Sequence, residues 1–275
     1  DRIRLIASDM DATLLNEQSQ LPADFEETIH ALAELGIRFA PASGRPLYTL
    51  EAMFPTLQNE LVFIGDNGGA IRWKGQNLFT SEMSPEGWRA LNRLTREQGD
   101  IAVLCGLESA YVERPFAVHD AVLRHFYTKI EYVDRLEDVT APADKFTIYL
   151  PQHNAQQAYD TVYASQRSIY SVAVAGECWV DIMNPGVHKG AALQTLGQLW
   201  GLPSESIMAF GDTYNDAEML QTVRYGFLME NGSEPLRQKV PFLAPSHREA
   251  GVMQVLHRVL AQNGCVCPED FVPAH

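Results

Sequence analysis

Residues 3–7 (IRLIA) are mostly apolar and predict a buried strand. Asp24 and Glu27 predict a capping box for the helix that follows. Phe25, Ile29, Leu32 and Leu35 recur at helical spacing along it, and Gly36 stops it. Residues 37–42 return as a strand. Pro46 opens a second helix, whose apolar face would be Leu47, Leu50, Phe54 and Leu57. LVFIG at 61–65 reads as a third buried strand. Strand and helix alternating through short links predict an α/β domain built on a doubly wound parallel sheet.

The rhythm changes near residue 80. Ser84-Pro85 starts a helix to about Gln98, and strand-like IAVLC (101–105) and SAYVE (109–113) surround a turn at Gly106. A helical piece at 116–127, a strand at 145–150 and a helix near 155–167 follow. YSVAV (170–174) and CWVDIM (178–183) alternate about a short turn and predict a hairpin. Residues 81–185 therefore read as an inserted α+β lobe. Its crossings are expected at Thr80-Ser81-Glu82 and Asn184-Pro185-Gly186, where turn formers interrupt the pattern. From 189 the α/β rhythm resumes through a helix ending at Gly201, strands 206–210 and 225–229, and a last helix near 249–261. The core is thus expected to be residues 1–80 and 186–275.

Composition adds exclusions. The net charge is −14, with 21 basic and 35 acidic residues and no basic cluster, which argues against a nucleic-acid partner. Apolar runs are too short to span a bilayer, so no membrane partner is expected. Four scattered cysteines and no leader-like pattern make cytoplasm the expected location, and the Cys265-x-Cys267 pair does not have the usual zinc-knuckle spacing.

Asp9 and Asp11 raise the chemical question. Strand alternation would aim both carboxylates at one spot, where like charges need a cation or must retain a proton. Three further stretches follow strands or open helices: Ser43-Gly44-Arg45, His188-Lys189-Gly190, and GDTYND at 211–216. Loops at the carboxyl ends of parallel strands converge on one crevice. They bring together four carboxylates, a hydroxyl beside a glycine amide, an ammonium and an asparagine. That inventory suits a phosphoryl group and a divalent cation, with Mg2+ favoured by the small number of oxygen ligands.

Taken together, Asp9-Met10-Asp11-Ala12-Thr13, Ser43, Lys189 and Gly211-Asp212 through Asn215-Asp216 resemble the four motifs of the haloacid dehalogenase (HAD) superfamily, in its Cof-type sugar-phosphatase branch. The resemblance covers nearly the whole chain and implies a Rossmann-like core with an inserted α+β cap. It implies Asp9 as nucleophile through an aspartyl-phosphate intermediate and Asp11 as general acid and base. Asp9, the Asp11 carbonyl and Asp212 would hold Mg2+, with Asp216 and Thr13 supporting. Ser43, Gly44, Lys189 and Asn215 would bind the phosphate. Two departures stand out: Ala12, where the family usually has glycine, and serine at 43 in place of the commoner threonine.

The expected reaction is hydrolysis of small phosphorylated metabolites, sugar phosphates or similar phosphomonoesters, by a monomer or weak homo-oligomer. A phosphomutase or phosphotransferase on the same core is an alternative, although phosphomutases carry their cap between the first two motifs, where only 32 positions separate Asp11 from Ser43. A non-catalytic magnesium-dependent phosphoacceptor or binding protein is the alternative from another class. Arg45 and Asn67 are candidate contacts for substrate or cap. Glu108, Arg114 and His119 have polar tips near turns in the lobe, but surface roles account for them better.

Overall fold

The structure, a computed structural model, describes all 275 residues. In chain order the strands are β1 (Leu5–Asp9), β2 (Arg38–Ala42), β3 (Val62–Gly65), β4 (Ala70–Trp73), β5 (Gln76–Thr80), β6 (Ile101–Gly106), β7 (Ala110–Glu113), β8 (Ile130–Val133), β9 (Ala143–Tyr149), β10 (Ser171–Val174), β11 (Trp179–Met183), β12 (Ile207–Gly211), β13 (Tyr225–Met229), β14 (Phe242–Ala244) and β15 (Val272–Pro273). The helices are α1 (Phe25–Glu34), α2 (Leu47–Ala52), α3 (Pro85–Gln98), α4 (Asp120–Phe126), α5 (Ala155–Asp160), α6 (Lys189–Trp200), α7 (Ala217–Thr222), α8 (Glu234–Arg237) and α9 (Gly251–Ala261).

Two compact units form. The first comprises Asp1–Gly44, Phe54–Leu78 and His188–His275. Its sheet has the order β15-β14-β13-β12-β1-β2-β3-β4-β5. The strands from β14 through β3 run parallel, and β4 and β15 are antiparallel additions at either side. Every residue of β1, β12 and β13 is buried, which explains why these strands read as largely apolar runs rather than as alternation, with Ser8 and Asp9 the polar end of β1. Asp9 pairs with Ala42, and Ser8 with Phe210. The residues that leave β1, β2 and β12 therefore emerge side by side.

The second unit comprises Arg45–Met53 and Phe79–Val187. Its sheet runs β10-β11-β9-β6-β7-β8 and is mostly antiparallel, with β7 and β8 parallel. Alternation sorts its residues cleanly. Ala102, Leu104, Phe146, Ile148, Val180 and Ile182 pack with Trp88 and Leu91 of α3 and with Ala155 and Ala158 of α5. Ile101, Val103, Cys105 and Tyr149 face the other way, with Leu123 and Tyr127. Ser84 caps α3 by accepting a hydrogen bond from the Gly87 amide at 3.0 Å.

Several sequence expectations are corrected. The first strand ends at Asp9, and the chain then turns through Met10–Leu14, with Asp11 extended and Ala12 left-handed at φ 56°. Asp9 and Asp11 are thus not strand neighbours on one face: Asp9 is buried and Asp11 exposed. The capping box at Asp24 does not form, and the Asp24 carboxylate lies 2.7 Å from His257 Nε2. The second helix stops at Ala52, although Phe54 and Leu57 beyond it are buried. The helix expected at 155–167 is α5 followed by a separate turn at Ala164–Ser168. The β4–β5 strands were not foreseen. Residues 45–53, expected in the core, belong to the second unit, where Thr49 Oγ1 donates to the Phe126 carbonyl at 3.3 Å and accepts from the Thr128 amide at 3.2 Å. No helix is long and apolar enough to cross a membrane.

Phe146 is fully buried between β9 and its helical cover. Phe146→Ala is expected to cost the second unit about 3–5 kcal/mol, whereas Val118→Ala, at a site 83% exposed, should cost less than about 0.5 kcal/mol. Urea denaturation followed by circular dichroism measures both, and equal midpoints would contradict the packing described.

Candidate active site

At the carboxyl end of the first unit's sheet, Lys189 occupies the centre of the site. It opens α6 and is fully buried. Its Nζ donates to Asp9 Oδ1 at 2.5 Å and to Asp216 Oδ1 at 2.7 Å. The start of α6 is fixed twice. His188 Nδ1 accepts from the Ala191 amide at 3.1 Å as the helix cap. Gly68, at φ +102°, lies so close that a Cβ there would stand 2.4 Å from the His188 carbonyl oxygen. Only glycine admits both that approach and that backbone angle.

Asp216 is completely engaged. Its Oδ2 accepts from the amides of Asp212 at 3.0 Å and Thr213 at 3.2 Å, while Oδ1 holds the lysine. Gly211 makes room for it, since a Cβ at 211 would lie 2.5 Å from the Asp216 Cβ. Asp9 Oδ2 and Asp212 Oδ1 each lie 3.4 Å from the Thr13 hydroxyl, which bridges them. Ser43 is buried after β2, its amide donating to the Ile64 carbonyl at 3.0 Å and its carbonyl accepting from the Asn67 amide at 2.9 Å. Asn67, left-handed at φ 53°, covers Gly44, with Nδ2 3.2 Å from where a Cβ would be. Asn215 is exposed, and its Oδ1 accepts from Thr213 Oγ1, which leaves the amide hydrogens as its donors.

The structure thus joins Asp9, Thr13, Lys189, Asp212 and Asp216 in one hydrogen-bonded cluster and ties Ser43 to Asn67. Arg45 lies in the segment that clusters with the second unit. Asn231 was missed by the sequence reading. Its Nδ2 donates to the Ala12 carbonyl at 2.8 Å and its Oδ1 accepts from the His247 amide at 3.0 Å. Asn231 follows β13 just as the other site residues follow their strands, and that position was the available signal.

Three carboxylates surround one ammonium. Asp9 is raised to about 8, because burial pushes it up, Lys189 pulls it down, and Asp216 and Asp212 push it up. Asp212 is raised as well, by burial first and then by Asp216. Burial lowers Lys189, but Asp9 and Asp216 outweigh that and hold it above its ordinary value. The cluster is short of positive charge. One carboxylate oxygen from each of Asp9, Asp212 and Asp216 falls within 4.8 Å of the others. Asp9 and Asp212 have the acceptor capacity that Asp216 lacks, so this donor set fits a hard divalent cation.

The haloacid dehalogenase-like hydrolase family matches residues 6–256. The chain belongs to this family. Similar proteins include the 5-amino-6-(5-phospho-D-ribitylamino)uracil phosphatase YbjI of Escherichia coli K12, 32% identical over 94% of this chain and 96% of that one. The HMP-PP phosphatase of Cronobacter sakazakii is 31% identical over 87% of this chain and 89% of its own length. Among solved structures, SMU.1108c from Streptococcus mutans UA159 superposes with a TM-score of 0.83 at 28% identity, covering 94% of this chain and 99% of that one. This HAD-like hydrolase is an enzyme of the phosphatase kind.

The titration of Asp9 gives a pH dependence with a definite sign. Its folded-state value, about 8, lies above the ordinary 3.8. The native protein therefore keeps a proton that the unfolded chain has released, and the resulting stability is complete below the lower value and lost as pH rises through the upper. Chelator-treated protein should lose melting temperature relative to Asp9→Asn as pH rises from about 5 to about 9, and magnesium should restore it at the alkaline end. Thermal scans across pH test this, and parallel curves for the two proteins would refute it.

Proposed function

We propose that this hydrolase is a magnesium-dependent phosphatase of small phosphomonoesters that acts through an aspartyl-phosphate on Asp9. The observation that carries the reading is the buried Lys189, which holds both Asp9 and Asp216 beside Asp212. Asp9, Asp212 and the Asp11 carbonyl would hold Mg2+, which supplies positive charge against the phosphate and the carboxylates when bound. Asp216 is a positioning group, because its oxygens already serve Lys189 and two backbone amides.

In this reading Asp9 attacks phosphorus and the ester oxygen departs. Asp11, exposed on its turn, protonates that oxygen and then takes a proton from the water that hydrolyses the acyl phosphate. Lys189 orients the Asp9 carboxylate through Oδ1. Ser43, the Gly44 amide and Asn215 hold the transferring oxygens, so most of the catalysis is positioning and charge compensation. The related enzymes named for a phosphoribitylamino-uracil and for HMP-PP support a substrate with a phosphate on a small polyhydroxylated or heterocyclic carrier.

Asp9→Asn should abolish turnover while the fold survives. Asp11→Asn should reduce hydrolysis of alkyl phosphates by about 10²–10⁴-fold but spare p-nitrophenyl phosphate, whose leaving group needs little protonation. Steady-state assays with both esters decide, and equal losses would sink the general-acid role. Activity should vanish with chelator and return with magnesium.

The second unit is proposed as the cap that chooses the substrate. Exchanging residues 81–185 with those of a relative should then transfer substrate preference and leave the magnesium requirement unchanged. The incoming segment must keep a partner for Thr49, which bonds Phe126 and Thr128 of that segment. A metabolite-phosphate screen of the chimera reads the outcome, and a preference that stays with the first unit would overturn this assignment.

A further inference from the structure

We propose that Asn231 is a positioning residue, whose side chain holds the turn carrying Asp11 in register with Asp212. The turn needs an external tie. Ala12 sits at φ 56°, ψ 14°, a left-handed conformation that costs a residue with a Cβ about 1–2 kcal/mol. Within the turn, the Leu15 amide closes onto the Met10 carbonyl at 2.9 Å, and this leaves the Ala12 carbonyl to be satisfied from elsewhere. Asn231 Nδ2 meets that carbonyl at 2.8 Å, from 219 positions along the chain.

The asparagine is itself held. Its Oδ1 accepts from the His247 amide at 3.0 Å, so both ends of the amide are engaged by backbone, which fixes its orientation. Two residues further on, the Ser233 amide donates to the Asp212 carbonyl at 2.7 Å. One short loop after β13 therefore grips both the Asp11 turn and the backbone of Asp212. Strained backbone at functional sites persists only where its surroundings over-determine it, and this loop supplies that determination.

The kinetic part of the proposal rests on the phosphatase reading; the structural part does not. Asn231→Ala and Asn231→Asp would be compared with the wild-type full chain. The aspartate variant keeps the acceptor for His247, loses the donor to Ala12 and adds a charge, while the alanine variant loses both bonds without adding one, so an effect common to both reads the bond to Ala12. Hydrogen exchange by mass spectrometry should show faster uptake at residues 11–15 in both variants, with α6 unchanged. With magnesium present, kcat for an alkyl phosphate should fall about 10–100-fold and that for p-nitrophenyl phosphate less than about threefold, because misplacing the acid costs only the ester that needs it. KM should change less than about threefold for both. Unchanged exchange at 11–15 in either variant overturns the proposal, as do equal kinetic losses for the two esters. A wild-type protein without magnesium-dependent activity would instead sink the phosphatase reading, and the exchange result would still decide the role of Asn231.

Discussion

A fully buried ammonium organises this molecule. Moving Lys189 out of water costs several kcal/mol, and the fold offsets that with two carboxylates at 2.5 and 2.7 Å. Each carboxylate comes from a different element, Asp9 from the end of β1 and Asp216 from the turn before α7. The ion pairs therefore fix how β1, the 211–216 loop and α6 meet. Removing one partner would leave a buried charge uncompensated, which is far more damaging than never having had the pair. The close approach of Gly211 to Asp216 and of Gly68 to His188 follows from the same demand, because both let backbone crowd around one lysine.

The pairing also sets the electrostatic problem that the active site has to solve. One positive charge faces three carboxylates, in a chain whose net charge is already −14. Burial and like-charge neighbours raise Asp9 and Asp212, so without a bound cation the cluster favours a retained proton. A cation bound between Asp9 and Asp212 would ionise them and at the same time lower the barrier to an approaching phosphate. The acid-rich composition and the chemistry are thus compatible through local charge compensation rather than through a basic surface.

Much of this was legible because two kinds of signal are local. Buried parallel strands read as apolar runs, and Asp9, Ser43 and Asp212 were picked out at their carboxyl ends and Lys189 at a helix start; the structure gathers Asp9, Lys189 and Asp212 in one cluster. The relation between Asp9 and Asp11 was misread because strand alternation was extended past the last strand residue. The left-handed Ala12 that breaks it has no local signal, since alanine is ordinarily a helix former. The capping box also failed, and the partner Asp24 does have, His257 on α9, lies more than two hundred residues away, where no short window contains it. Asn231 is different, since its place after β13 was readable and its amide partners were not.

The boundary between the two units carries a mechanical consequence. An insertion at 81–185 would be joined to the rest by two crossings, but the chain passes between the units four times, at 44/45, 53/54, 78/79 and 187/188. Two of these lie directly beside site residues: Gly44 precedes the first and Lys189 follows the last. The expected hinge segments are tied to each other, because Asn184 Nδ2 donates to Ser81 Oγ at 3.1 Å and to the Glu82 carbonyl at 2.9 Å. Those residues belong to the second unit and would travel with it. Any displacement of that unit must then be absorbed at the crossings themselves, next to the backbone that presents Ser43 and Lys189. The segment after Gly44 is held in the second unit by the hydrogen bonds of Thr49. Ser43 and Gly44 are thus the last residues of the first unit before the chain enters the second.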